Sequence, residues 1–321
     1  MQLIDVFRAR RRIAPYVRRT PLVDSSWLTD AGGAASVALK LESLQRSSSF
    51  KSRGAFNAVV ARLERTAGAP PQIVTASAGN HGRALADAAQ AFRLPLVVFT
   101  PVDAPQTKMA AIRRHGATLR CEARDYDDAE RLAKAWAAET GADFISPYND
   151  PDVVAGAATV GLEIFEDRPS TDAVVVPIGG GGLMSGVAFV AKQMNPRCEV
   201  IGVEAAASCA FQTSLRAGHL VEIVPGPTLA DGLGGNPDPA TITFAFIQQY
   251  VDRIVTVTET DLASGIAGLV EHEHLVSEGA GAAAAAAIAA ARVRIDGREV
   301  TAILSGANID RARLAGLLRS D

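Results

Sequence analysis

Cysteine is scarce in this chain. Cys121, Cys198 and Cys209 are the only three among 321 residues, an odd number with no close pair. That argues against a disulfide scaffold and a clustered thiolate metal site, and fits reduced thiols in a cytosol. An excess of one charge is also missing. The net charge is −3, so there is no global electrostatic footprint for nucleic acid or an anionic membrane. Two basic runs (Arg8, Arg10, Arg11, Arg12; Arg113, Arg114) lie in helical patterns and read as solvated faces. Long apolar runs are absent too. Arg and Asp interrupt the first twenty residues before a signal-peptide core forms. The run Ala282 to Ala291 is too short and too alanine-rich to span a bilayer. No low-complexity linker and no clear short-period repeat divides the chain.

What is present is material for a large core. The chain is 48% hydrophobic and long enough for two domains or one large α/β unit. Residues 3–18 read as an amphipathic helix, followed by an extended Thr20-Pro21-Leu22. Short apolar strands then alternate with helices. Strands are expected at 37–41, 73–76, 96–99, 118–121, 174–178, 200–203, 254–257 and 301–304. Helices are expected at 83–92, 107–115, 126–140, from 184, at 262–272 and at 281–292. Continuous apolar strands between helices mean parallel sheets covered on both faces. Two such sets imply α/β architecture with two open sheets and a cleft between them, with ligands outside the carboxyl ends of the strands.

Four stretches at strand ends carry chemistry. Ser47-Ser48-Ser49-Phe50-Lys51-Ser52-Arg53-Gly54-Ala55 sets a lysine at a strand-to-helix junction, where helix N–H groups attract anions. Ser77-Ala78-Gly79-Asn80-His81-Gly82 offers a hydroxyl, an amide and backbone N–H groups, suited to a carboxylate or phenolate oxygen; capping and turn formation account for it equally well. Gly179-Gly180-Gly181-Gly182 joins a buried strand to a helix and predicts a phosphate cradle, with a plain tight turn as the alternative. It lacks the Lys-Ser/Thr ending of a P-loop and the G-x-G-x-x-G spacing of a dinucleotide site, which weighs against a dinucleotide-dependent oxidoreductase. Ser305-Gly306-Ala307-Asn308 closes the last strand. Glu271-His272-Glu273-His274 is not H-E-x-x-H and reads as an exposed helix end.

Taken in order, these stretches resemble the fold type II pyridoxal-phosphate enzymes, most closely the serine/threonine dehydratase and serine racemase group. The resemblance covers nearly the whole chain, including Pro105-Gln106-Thr107-Lys108, Asn149-Asp150-Pro151, Thr228 to Gly232 and Ser277 to Ala282. It implies a large cofactor-binding domain of residues 1–52 and 148–321, with residues 53–147 inserted as a small domain and the cofactor in the interdomain cleft. It implies pyridoxal 5'-phosphate joined to Lys51 as a Schiff base. Phe50 then packs beside the pyridine ring, and Asn80 bonds the ring hydroxyl. Gly179, Gly180, Gly181, Gly182 and Leu183 hold the phosphate, and Ser305 partners the ring nitrogen. Ser48, Ser49, Ser77, Asn80 and His81 lie near the substrate carboxylate.

A serine at the ring nitrogen cannot hold a pyridinium as a carboxylate would, which favours β-elimination over transamination. The expected activity is that of a cytoplasmic, homodimeric ammonia-lyase acting on a β-hydroxy L-amino acid such as threonine or serine. A racemase, a β-replacement enzyme of the same fold and a non-catalytic binding protein are the alternatives. Racemases of the group carry a second hydroxyl where this chain has Ala78. For a divalent cation such as Mg²⁺, Glu204 and Ser208 are the candidate ligands, with Ala210 where a second acid is expected. Ser47-Ser48 replaces the usual Thr-Gly. The chain stops soon after Ser305, which leads to the expectation of a short, catabolic-type enzyme without a regulatory domain.

Overall fold

The structure, a computed structural model, describes residues 1–66 and 72–319. In chain order the first elements are α1 (Leu3–Ile13), β1 (Leu22–Asp24), α2 (Ser26–Gly32), β2 (Ser36–Lys40) and α3 (Lys51–Arg65). Then come β3 (Ile73–Ala76), α4 (Asn80–Ala91), β4 (Leu96–Pro101), α5 (Gln106–Arg113), β5 (Thr118–Ala123), α6 (Tyr126–Thr140) and β6 (Asp143–Phe144). They are followed by α7 (Pro151–Asp167), β7 (Ala173–Pro177), α8 (Gly182–Met194), β8 (Glu199–Ala205), α9 (Ala210–Ala217) and α10 (Thr243–Tyr250). The last are β9 (Arg253–Val257), α11 (Glu259–Glu273), α12 (Gly279–Ala289), β10 (Glu299–Ile303) and α13 (Arg311–Leu317).

Local chemistry sets several of these limits. Asp125 caps α6 by accepting from Asp128 N, and Gly141 ends it in the left-handed region at φ 73°. Thr258 and Asp261 form a reciprocal capping box at the start of α11.

The chain divides into two units: Met1–Val17 with Lys51–Gly156, and Arg18–Phe50 with Ala157–Asp321. The first holds a four-stranded parallel sheet in the order β5-β4-β3-β6. The expected division differs at the N-terminus, because α1 belongs with the inserted segment rather than with the larger unit. Ile13 is buried among Ala55, Phe56 and Val59, and Tyr16 stacks on Phe56 at 5.3 Å between ring centroids. The same unit extends to Gly156 because Arg62 on α3 binds Asp143 and Asp150, each at 2.7 Å.

The second unit holds a six-stranded sheet in the order β1-β2-β10-β7-β8-β9. It is parallel except for β1, which pairs antiparallel with β2, Leu22 opposite Lys40. The alanine run that is too short for a membrane forms α12, buried from Gly279 to Ile288 against the sheet core. Small side chains let that helix lie close to Val175, Ile201 and Val300. Among the described residues, no helix is long and apolar enough to cross a membrane.

Candidate active site

In the larger unit, two expected stretches leave adjacent strands at the same sheet edge. β7 and β10 are parallel neighbours. The glycine run follows β7, and Ser305 follows β10 one residue beyond Leu304. Gly181 sits at φ 86°, where L side chains are strained. A Cβ there would also lie 2.8 Å from Thr243 Oγ1. Thr243 in turn donates its hydroxyl to the Gly180 carbonyl at 2.9 Å, fixing the bend from outside. Helix α8 begins at Gly182, and its N-cap supplies no side-chain hydrogen bond. Its first N–H groups therefore suit an anion.

The lysine loop returns to this edge. Ser49 bridges Gly306, and Phe50 N donates to the Ser305 carbonyl at 3.1 Å. Lys51 is the next residue in the chain. Ser49 Oγ is fully buried and has no hydrogen-bond partner among the described residues, which suits it to bond a polar ligand. Ser305 is buried, and its hydroxyl donates to the Ala280 carbonyl at a long 3.4 Å. Ser48 adopts φ 58°, in the left-handed region that favours glycine.

In the smaller unit, Lys51 opens α3. It is half-buried, and its amine donates to the Pro147 carbonyl at 2.8 Å. Burial of the amine lowers its pKa from 10.5 to about 8, so the ammonium is held less firmly than in water. The 77–82 loop follows β3. Gly79 N donates to Ser77 Oγ at 3.2 Å, and Asn80 and His81 open α4. A Cβ on Gly82 would fall 2.3 Å from the Ser77 carbonyl, so only glycine permits this fold-back. His81 is 2% exposed. Its Nε2 lies 3.3 Å from the Ile145 carbonyl, and its Nδ1 is buried without a partner among the described residues. Burial, with Lys51 as the second cause, depresses the imidazole pKa to about 3. The ring is neutral, so Nε2 carries the proton it donates and Nδ1 is a bare acceptor.

The orphaned Ser49 hydroxyl, the uncapped glycine bend and the depressed Lys51 amine fit a phosphorylated aldehyde cofactor. The cation donors fit less well. Glu204 ends inside the protein, with Oε1 accepting from Phe211 N at 2.9 Å and Oε2 from Gln212 N at 2.8 Å. Desolvation raises its pKa to about 7. Ser208 Oγ accepts from Gly235 N at 3.0 Å. Hard cations want about six or more oxygen ligands, and among the described residues no group of three or more His, Cys, Asp or Glu converges to supply them.

Sequence reading missed Thr243, Pro147, Thr75 and Ile145. Thr243 lies on a helix with no clear period, Thr75 acts through a hydroxyl that reads as an ordinary strand residue, and Pro147 and Ile145 act through backbone oxygens, which leave no mark in side-chain pattern.

Comparison with known proteins follows the same lines. The profile of a family described as "Pyridoxal-phosphate dependent enzyme" matches residues 13–306. The L-threonine ammonia-lyase of Thermotoga maritima is 41% identical over 310 residues, 96% of this chain and 76% of that protein. The L-threo-3-hydroxyaspartate ammonia-lyase of Saccharomyces cerevisiae is 37% identical over 316 residues, 98% of this chain and 95% of that protein. The solved structure of maize serine racemase superposes with a TM-score of 0.91 at 30% identity, covering 98% of this chain and 96% of that one.

Proposed function

The chain belongs to the pyridoxal-phosphate-dependent enzymes, and on that premise we propose that it is an ammonia-lyase for a β-hydroxy L-amino acid. The reaction is an α,β-elimination that releases a 2-oxo acid and ammonia. The observation that carries this reading is the place of Lys51, the first residue of α3, whose amine is held by the Pro147 carbonyl at 2.8 Å and whose pKa burial lowers to about 8. An amine that loses its proton near neutrality both joins an aldehyde and takes up an α-proton.

When bound, the cofactor supplies an electron sink for charge developing at the substrate α-carbon. The chain's own groups then have separate tasks. Backbone N–H groups of Gly179 to Leu183 hold the phosphate, and Phe50 packs at the ring. The Ser305 hydroxyl meets the ring nitrogen, and the Asn80 amide meets the ring hydroxyl. Ser48, Ser49, Ser77 and the N–H groups opening α4 hold the substrate carboxylate. Lys51 Nζ removes the α-proton, the β-hydroxyl takes up a proton and leaves as water, and the released enamine tautomerises to an imine that a second water hydrolyses to the 2-oxo acid and ammonia. Homodimeric assembly and cytoplasmic residence complete the proposal and rest on the resemblance alone.

Racemisation is the second reading, favoured by the 30% identity to maize serine racemase. Ala78 weighs against it, because no hydroxyl at that position can transfer a proton. The test is a panel of serine, threonine, 3-hydroxyaspartate and phenylserine, scored for ammonia, 2-oxo acid and chirality. The expected result is 2-oxo acid from at least one substrate, with no matching interconversion of L and D forms. EDTA is expected to leave the rate within about twofold, given the engaged Glu204 oxygens. Racemisation of serine as fast as pyruvate formation contradicts the reading.

The glycine bend gives a second test. Gly181→Ala places a Cβ at φ 86° and 2.8 Å from Thr243 Oγ1. The strain is about 1–2 kcal/mol, or about tenfold in cofactor affinity. Titrating the apoenzyme with pyridoxal 5'-phosphate reads it. Unchanged affinity for the cofactor contradicts the assignment of this bend to the phosphate.

A further inference from the structure

His81 has a task that the carboxylate loop does not explain. A side chain that helps bind a carboxylate donates to it, yet the only N–H of this imidazole is turned toward the Ile145 carbonyl, 3.3 Å from Nε2. The remaining nitrogen can only accept. The same carbonyl accepts a second bond, from Thr75 Oγ1 at 2.7 Å. Thr75 and His81 are both buried, Thr75 on β3 and His81 at the start of α4. Two donors from the elements on either side of one loop therefore converge on one backbone oxygen.

That oxygen belongs to a short connecting segment with one evident use. Ile145 N pairs with the Val74 carbonyl at 2.9 Å, extending the edge of the sheet by one residue. Ser146 Oγ then accepts from Asn149 N at 3.0 Å, closing a turn around Pro147. The Pro147 carbonyl projects from this turn and takes the Lys51 amine at 2.8 Å. Moving the Ile145 carbonyl moves the turn, and moving the turn moves the acceptor of the amine.

We propose that His81, together with Thr75, is a positioning residue: it clamps the Ile145 carbonyl so that the Pro147 carbonyl holds the Lys51 amine in a fixed resting place whenever that amine is not joined to another group. The proposal rests on the assignment of Lys51 above. It also gives a reason for a histidine that stays neutral. A charged ring beside the Lys51 ammonium would repel it, whereas the neutral ring donates through Nε2 without adding charge. Its Nδ1 is left as a bare acceptor.

The amine itself reports the clamp, with no cofactor needed. In the full-length apoenzyme, the pH dependence of Lys51 acylation, read by mass spectrometry, gives its pKa, about 8 in the native chain. A carbonyl bonded to the ammonium favours the charged form, so loosening it lowers the pKa. His81→Phe keeps a ring but loses the donor, and is expected to lower the Lys51 pKa by about half a unit or more. His81→Gln keeps an N–H and is expected to stay within about 0.2 unit of the native chain. Thr75→Val, nearly isosteric, removes the other donor and is expected to move the same way as His81→Phe. In the holoenzyme, His81→Phe and Thr75→Val are expected to lower kcat about tenfold with KM changed less than about twofold.

Equal effects of His81→Phe and His81→Gln on the Lys51 pKa reduce His81 to packing and overturn the proposal. A Lys51 pKa that none of the three variants moves overturns it as well. Should His81→Phe fail to fold, Thr75→Val and His81→Gln decide between the same outcomes. If Lys51 is not the cofactor lysine, Lys51→Ala holoenzyme keeps its visible absorbance; that result removes the underlying assignment and leaves the apoenzyme comparison as a separate reading.

Discussion

Lys51→Ala is expected to abolish the visible absorbance of the holoenzyme and to lower ammonia release by at least about a thousandfold. The size follows from one amine serving as both covalent anchor and proton acceptor, since general-base catalysis alone contributes about 10²–10⁴. The native chain should show a matching pH dependence. Only the unprotonated amine reacts, and its pKa is lowered from 10.5 to about 8. Recombination of apoenzyme with cofactor should therefore accelerate as pH rises through about 8, and level off well before the ordinary lysine range. An acceleration that continues to pH 10 contradicts the burial of this amine. Lys51→Arg should be as inactive as the alanine variant, because a guanidinium stays protonated in this range.

The second large effect concerns stability rather than chemistry. Lys40→Met is expected to destabilise the larger unit by about 3–5 kcal/mol. Lys40 is 0% exposed at the end of β2. Its ammonium bonds Glu163 Oε2 and the Thr20 carbonyl, each at 2.7 Å. Thr20 joins the cluster further, its N donating to Glu163 Oε2 at 3.3 Å and its hydroxyl to Glu42 Oε1 at 2.5 Å. Removing the ammonium takes from the buried Glu163 carboxylate the cation that bonds it at 2.7 Å. The double change Lys40→Met with Glu163→Leu should recover most of the loss, because two apolar groups replace both charges. Urea unfolding of the native chain and both variants reads this. A single variant as stable as the native chain would show that the pair contributes nothing.

The strength of the sequence reading varied with how local each signal was. Helix α6 falls at the expected residues 126–140 because Asp125 and Gly141 mark both ends chemically. The places of the glycine run and of Ser305 just after strands were legible because short apolar strands run directly into them. Helix α7, Pro151–Asp167, had no such mark. It carries apolar residues around much of its surface, Val153, Val154, Val160, Leu162 and Ile164 all being buried, so no face stood out. The three-residue β1 is too short for any period, and its antiparallel pairing depends on β2 rather than on its own residues.

Long-range contacts were hidden for another reason. Nothing near Ile13 or Tyr16 announces that they pack on Phe56, and so α1 was expected in the wrong unit. Lys40 and Glu163 are 123 positions apart. In the site, residue types were legible and their acceptors were not. His81 was visible as a histidine at a helix start, but its bond to the Ile145 carbonyl depends on how β3 and the 145–149 turn meet. Backbone oxygens are common to every residue, so Pro147 carried no warning that it would hold the Lys51 amine.

The most direct measurement reduces the holoenzyme with borohydride, digests it, and locates the pyridoxyl group by mass spectrometry. The account predicts that the label sits on Lys51, with the other lysines unmodified. A label on any other lysine, or none on a chain that still releases ammonia, would contradict it.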